Sequence, residues 1–214
     1  MEAVILFARE PRLGRVKQRL ARDLGETATL TAYRRMVERG LRLADRFTRS
    51  RPGCRLYVAL EGHCDDPGSL AARAGALGAR VERQVGGGLG RRMLACLQHA
   101  QRDGAARMLL MGCDCPSARA GDLRAALDTL IDHDLVLAPT VDGGYWLIGV
   151  REPEPSLFRA MPWGEDTVAA RTLSVVQGLG WRSLCLPLRE DIDDIGAWRR
   201  WQSERAQRGL AERP

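Results

Sequence analysis

Strand-like and helix-like segments alternate along nearly the whole chain, and this alternation predicts an α/β fold: a single domain with a mostly parallel sheet flanked by helices on both faces. Apolar runs such as Met108-Leu-Leu-Met111 lack polar alternation, as expected for strands covered on both sides. At 214 residues the chain can bury one full core, and no internal repeat or low-complexity linker marks a second domain. Residues 1–200 are read as the domain and 201–214 as a polar, arginine-rich tail.

The first strand is expected over 3–7, an uninterrupted apolar run that breaks into a basic loop containing glycine. A long helix follows over 29–48, then a strand over 55–60, a helix over 70–77 and a strand over 79–83. The glycine run Gly86-Gly-Gly-Leu-Gly90 precedes a helix over 90–101. The strand over 107–111 is stopped by Pro116, and a helix over 120–132 has Ser117 as its nearest capping residue. Strands over 135–139 and 145–149 lie too close for a crossover helix, so they are expected to pair antiparallel or to occupy different sheet segments. A helix over 167–178 is capped by Asp166 or Thr167, a strand covers 181–187, and a last helix over 194–208 takes Asp194 as its cap.

Charge is concentrated rather than spread. Residues 9–22 carry six basic side chains and Glu10, a local +5 in a chain whose formal net charge is +6. Lys17 is the one lysine in the sequence. A cationic loop that leads from a strand into a helix suits phosphates, since backbone N–H groups and side chains both favour anions. A solvated basic face is the alternative, but a lone lysine among 32 arginines points to a compact point charge. Lys17 is expected to be exposed in that loop. Aromatic content of 5% argues against nucleic-acid stacking platforms, so phosphorylated small molecules are the expected partners and nucleic acid is not. No apolar run approaches the roughly 20 residues of a membrane span, and no secretory-signal pattern opens the chain, so a cytoplasmic location away from the membrane is expected. The six scattered cysteines (Cys54, Cys64, Cys96, Cys113, Cys115 and Cys185) lack C-x-x-C spacing and are read as reduced, buried small hydrophobes rather than zinc ligands.

In an open α/β sheet, ligands bind outside the carboxyl ends of the strands. Asp114 directly follows a buried strand there and is a candidate Mg²⁺ ligand, with helix capping as the alternative. The segment Leu188-Arg-Glu-Asp-Ile-Asp-Asp194 holds four carboxylates in five residues, of which Asp191 and Asp193 share a side if extended and form candidates for further metal contacts. A solvated turn is the competing explanation. Gly88 and Gly90 would let backbone approach a nucleotide, unless the run is a flexible connector. Asp142, Gly143, Gly144 and Tyr145 combine a carboxylate, flexible backbone and an aromatic ring at a strand entrance. With Trp163 and Asp166 of Pro162-Trp-Gly-Glu-Asp-Thr167, they are candidate substrate contacts.

Taken together, Phe7-Ala-Arg-Glu-Pro-Arg-Leu-Gly-Arg-Val-Lys-Gln-Arg-Leu20, Gly112-Cys-Asp-Cys-Pro116, Asp142-Gly-Gly-Tyr-Trp-Leu-Ile-Gly149, Pro162-Trp-Gly-Glu-Asp-Thr-Val168 and Asp191-Ile-Asp193 resemble, in order, the motifs of the DUF2064 proteins. These are small GT-A-fold transferases, also called radical-SAM/selenodomain-associated transferase 1, related to nucleotide-diphospho-sugar transferases and similar to 2-phospholactate guanylyltransferase. The resemblance spans residues 3 to about 198 and implies a nucleotide-binding sheet. Ala8, Arg9, Gly14, Arg15, Lys17 and Arg19 would hold phosphates, Lys17 and Asp114 would be catalytic, and Asp114 would bind Mg²⁺ or Mn²⁺. The chain departs from the family pattern at Cys113 and Gln18, where a hydroxyl is usual, and at Asp194-Ile195, where Thr-Pro is usual.

The strand at 107–111 ends in one carboxylate rather than the Asp-x-Asp element common in glycosyltransferases. That favours a Mg²⁺-dependent nucleotidyl transfer from a nucleoside triphosphate to a small phosphorylated or carboxylated acceptor. The alternatives are glycosyl transfer from a nucleotide sugar and a nucleotide-binding module with little turnover.

Overall fold

A computed structural model of the chain describes residues 1–62 and 66–211; Cys64 and the last three residues of the expected tail lie outside them. Among the described residues the sheet has seven strands: β1 (Glu2–Arg9), β2 (Cys54–Glu61), β3 (Arg80–Arg83), β4 (Arg107–Met111), β5 (Leu135–Pro139), β6 (Tyr145–Val150) and β7 (Ser183–Cys185). They lie in the order β3-β2-β1-β4-β6-β5-β7. All neighbours are parallel except β6, which runs antiparallel to both β4 and β5. The short link between β5 and β6 forces that reversal, because a parallel return needs a crossover helix.

Seven α-helices accompany the strands among the described residues: α1 (Gln18–Leu24), α2 (Glu26–Arg49), α3 (Leu70–Ala76), α4 (Leu89–Arg102), α5 (Ala120–Thr129), α6 (Val168–Gly178) and α7 (Ile195–Ala211). Side chains on β1 alternate between two cores, as the two-residue period of a strand requires. Val4 and Leu6 pack with Met36, Val37 and Leu41 of α2 and with Leu123 and Leu127 of α5. Ala3 and Ile5 pack on the other face with Met93 and Leu97 of α4 and Val176 of α6. Helices therefore cover both faces of the sheet. No described helix is long and apolar enough to cross a membrane.

Two elements differ from expectation. The long helix begins at Glu26 and is preceded by a separate short helix, α1, because Gly25 at φ 79° turns the chain between them. The strand expected over 181–187 shortens to three residues at an exposed sheet edge. The last helix forms close to its expected span, over Ile195–Ala211. Of the described cysteines, all free, Cys96, Cys113 and Cys115 are buried, Cys54 is half-buried and Cys185 is exposed on the edge strand, where no second layer covers it.

This topology fixes where a ligand can sit. The chain moves from β1 outward to β2 and β3, then returns to β4 on β1's other side, so the order reverses between β1 and β4. The crevice outside the carboxyl ends of β1 and β4 is where open α/β sheets hold ligands. The basic loop and Asp114 both follow those ends.

Candidate active site

Lys17 is the N-cap of α1 and adopts the left-handed conformation, φ 46° and ψ 53°. For a residue with a Cβ this costs about 1–2 kcal/mol, and such outliers cluster at functional sites. Contrary to the sequence expectation, its side chain is only 7% exposed. The ammonium lies 2.9 Å from Asp114 Oδ2 and also contacts Asp193 Oδ1. Burial alone would push its pKa down, but the two carboxylates outweigh that and hold it above the usual lysine range. Arg9, at the end of β1, has its backbone N–H donated to Tyr33 Oη at 3.0 Å, which fixes the exit of the loop against α2.

The segment after β7 returns across this edge. Arg189 N–H donates to the Pro139 carbonyl at 3.2 Å, Val141 N–H donates to the Arg189 carbonyl at 3.0 Å, and Ile192 N–H donates to the Asp114 carbonyl at 2.8 Å. The Arg189 guanidinium grips Asp122 on α5 with two contacts of 2.7 and 2.8 Å. Residues 189–193 are thereby drawn alongside both Asp114 and the turn that joins β5 to β6. In that turn Asp142 Oδ1 accepts from Thr140 Oγ1 at 2.6 Å and from Gly144 N–H at 3.1 Å.

The outcome is a group of three carboxylates. Oxygens of Asp142, Asp191 and Asp193 lie within 4.8 Å of one another. Burial, then the neighbouring charges of Asp142 and Asp193, push the Asp191 pKa up to about 6. Hard carboxylate oxygens in this number fit a hard divalent cation such as Mg²⁺ or Mn²⁺. The sequence reading grouped Asp114 with Asp191 and Asp193; the fold instead supplies Asp142 to that group and gives Asp114 to Lys17.

A cavity of about 560 Å³ opens at this edge, within the usual range for small-molecule sites. Ala8, Arg9, Lys17 and Arg19 line a basic part of its wall, with Asp114 and Asp193 beside Lys17. Asp142, Gly144, Tyr145 and Trp163 line another part of the wall, with the two rings meeting edge to face at 6.3 Å between centroids. Other expected contacts lie elsewhere. Gly14 borders a separate, smaller hollow with Glu26. Arg15 is exposed, and its carbonyl accepts from Arg9 Nη1 at 3.3 Å. Gly88 caps α4 at the surface. Gly90 is a packing glycine: a Cβ there would overlap the Phe158 carbonyl oxygen and press on the Trp163 indole. Gly143 and Asp166 meet each other through their backbones behind the wall.

Sequence reasoning missed a polar chain at the ends of β2 and β3. Glu61 Oε2 lies 2.7 Å from both Arg9 Nε and Arg92 Nη1. Buried Gln84 donates from Nε2 to the Ala8 and Ala59 carbonyls at 3.1 and 3.0 Å and accepts from Arg92 Nη1 at 3.1 Å. Burial would raise the Glu61 pKa, but Arg92 and Arg9 hold it below the usual carboxylate range. A signal was present, since Glu61 and Gln84 are polar residues at the carboxyl ends of strands, where ligands bind.

Comparison with known proteins follows the same lines. A family described as an uncharacterized protein conserved in bacteria (DUF2064) matches residues 44–165. No curated protein matches the chain. A protein from Desulfovibrio desulfuricans G20, provisionally described as a nucleotide-diphospho-sugar transferase, is 29% identical, with a TM-score of 0.78 over 90% of this chain and 82% of its own. A cytidylyltransferase from Leptospira borgpetersenii serovar Hardjo-bovis (strain JB197) is 15% identical, with a TM-score of 0.58 over 94% and 85% of the two chains. CMP:2-keto-3-deoxy-manno-octonic acid synthetase, solved with CTP, is 12% identical, with a TM-score of 0.56 over 97% and 100%. At these identities the last two speak to the fold alone. That fold is the GT-A-like sheet of the nucleotide-diphospho-sugar transferases.

Proposed function

The chain belongs to the DUF2064 family, and from that premise we propose that it is a divalent-metal-dependent transferase that moves a nucleotidyl group from a nucleoside triphosphate to a small acceptor. The observation that carries the reading is the convergence of Lys17, Asp114 and Asp193 with Asp142 and Asp191 at the β1/β4 switch point. Four distant chain segments meet there, and four carboxylates at one edge repel one another unless cations neutralise them.

Asp142, Asp191 and Asp193 would hold Mg²⁺ or Mn²⁺, which when bound would neutralise phosphate charge and stabilise the leaving diphosphate. Arg9, Lys17 and Arg19 supply charge-assisted donors to the phosphates from one wall. Asp114 orients the Lys17 ammonium. Glu61 and Gln84 hold Arg9 and Arg92 in fixed positions, so their guanidinium groups meet a nucleotide already arranged. An acceptor oxygen bonds to the α-phosphorus as the bond to the β-phosphate oxygen breaks, and pyrophosphate leaves. A phosphate or carboxylate acceptor is already ionised at neutral pH and needs no general base.

One observation favours a second reading, glycosyl transfer. The wall residues drawn from 142–168 include Tyr145, Trp163, Asp142 and Glu165 and no arginine or lysine. Aromatic faces beside carboxylates suit a neutral, hydroxylated ring better than an anion. The product distinguishes the two. Incubation with Mg²⁺ and panels of triphosphates, nucleotide sugars and acceptors should release pyrophosphate if nucleotides are transferred. Release of nucleoside diphosphate from a nucleotide sugar would replace that reading with the second. A thermal-shift screen narrows the panels first, because a ligand at 100 times its Kd adds about 2.7 kcal/mol to stability.

A further inference from the structure

Lys17 and the carboxylate group compete for one residue. Asp193 is at once a partner of the Lys17 ammonium and a member of the group with Asp142 and Asp191. Its contact with Lys17 is through Oδ1, and the ammonium has a second partner, Asp114 Oδ2, at 2.9 Å. Lys17 therefore occupies the place of a monovalent counter-ion at the border of a site with the donor chemistry of a divalent one. Its backbone is pinned in the left-handed region at the start of α1, while four rotatable bonds leave the ammonium free to be redirected. A divalent cation attracts a carboxylate about twice as strongly as an ammonium does at equal distance.

We propose that Lys17 is the resident counter-ion of the site: it holds Asp114 and Asp193 until a divalent cation arrives, yields Asp193 to that cation, and turns its freed ammonium to the phosphates of the nucleotide. Cation and phosphate binding are then coupled through one side chain. Cation entry must displace the ammonium, and phosphate stabilises the displaced form, so each ligand favours the other. The inference rests on the metal reading proposed above and adds to it an order of events.

Because Lys17 is the one lysine in the chain, an amine-acylating reagent reports on it directly. Full-length protein is labelled without ligand, with Mg²⁺, with Mn²⁺, and with Mg²⁺ plus inorganic tripolyphosphate. Mass spectrometry compares acylation at Lys17 with that at the Met1 α-amine, at the opposite end of β1. Mn²⁺ binding is followed in parallel by electron paramagnetic resonance. Lys17 should be protected without ligand, and either cation should speed its acylation at least about tenfold, equivalent to about 1.4 kcal/mol between held and released forms. Tripolyphosphate should restore protection. If Mn²⁺ binds but the Lys17 rate does not change, the counter-ion role is wrong and the metal site stands. If Mn²⁺ does not bind, the metal reading itself fails, and this inference falls with it. Rapid acylation without any cation also overturns the proposal. Failure of tripolyphosphate to protect removes the phosphate half.

Discussion

Gly143 packs against Asp166 so closely that a Cβ at position 143 would overlap the Asp166 carbonyl oxygen. The Gly143 carbonyl also accepts from Ala169 N–H at 2.9 Å. The β5–β6 turn that carries Asp142 is thus fastened to the start of α6, and the aromatic wall is fastened to a carboxylate of the site. Gly143 sits at φ 83°, where a side chain is strained even in open space. Gly143→Ala should cost about 2–4 kcal/mol, visible by calorimetry as a Tm drop of roughly 4–16 °C. Mn²⁺ affinity should fall in the same variant, because Asp142 moves with the turn.

Lys17 permits a comparison of two truncations. Lys17→Ala and Lys17→Gly both remove the ammonium from Asp114 and Asp193, but only alanine keeps the left-handed strain. Lys17→Gly should therefore be the more stable of the two by about 1 kcal/mol in urea denaturation. Both should bind tripolyphosphate more weakly than the parent protein. Equal stability of the two variants would show that the loop relaxes out of the left-handed conformation once the ion pairs are gone.

The raised Asp191 pKa has a defined sign. The folded carboxyl is pushed up to about 6, above the ordinary aspartate value of about 3.9, so the folded state holds this proton more tightly than the unfolded chain does. Stability from this group is present at low pH and is lost as pH rises from about 4 through about 6. In metal-free protein, Asp191→Asn should raise Tm at pH 7.5, and the gain should vanish toward pH 4. Mn²⁺ affinity of the parent protein should weaken below about pH 6 as the proton competes for the carboxylate.

Asp122 does not line the cavity, yet it anchors Arg189 and so the segment that delivers Asp191 and Asp193. The Arg189 and Asp122 side chains are 22% and 14% exposed. Removing the pair by Asp122→Ala should cost about 1–2 kcal/mol, between values for surface and buried ion pairs. Isothermal titration should show Mn²⁺ binding weakened about three- to tenfold, or about 0.7–1.4 kcal/mol. Unchanged Mn²⁺ affinity would mean that Ile192 and its bond to Asp114 suffice to place the segment.

All seven strands and every α-helix except α1 were legible in the sequence. Each expected strand forms, because apolar runs of strand length are local signals that need no knowledge of their neighbours. That β5 and β6 would not pair parallel was legible for the same kind of reason, since too few residues separate them for a crossover; the fold chose antiparallel pairing. The basic loop and the carboxylates of 114, 142, 191 and 193 were also visible as chemistry at strand ends. Tertiary structure alone decided which of them meet. Asp142 joins Asp191 and Asp193 across 49 residues because β6 inserts between β4 and β5 and Arg189 docks on α5, and strand order is not written in any local window. Lys17 looks like a loop side chain in sequence, yet its side chain is buried, since its two carboxylate partners come from the middle of the chain and, 176 residues away, from near its end. Periodicity reports which face a residue takes within its own element; the partner it finds there depends on how the elements are laid side by side.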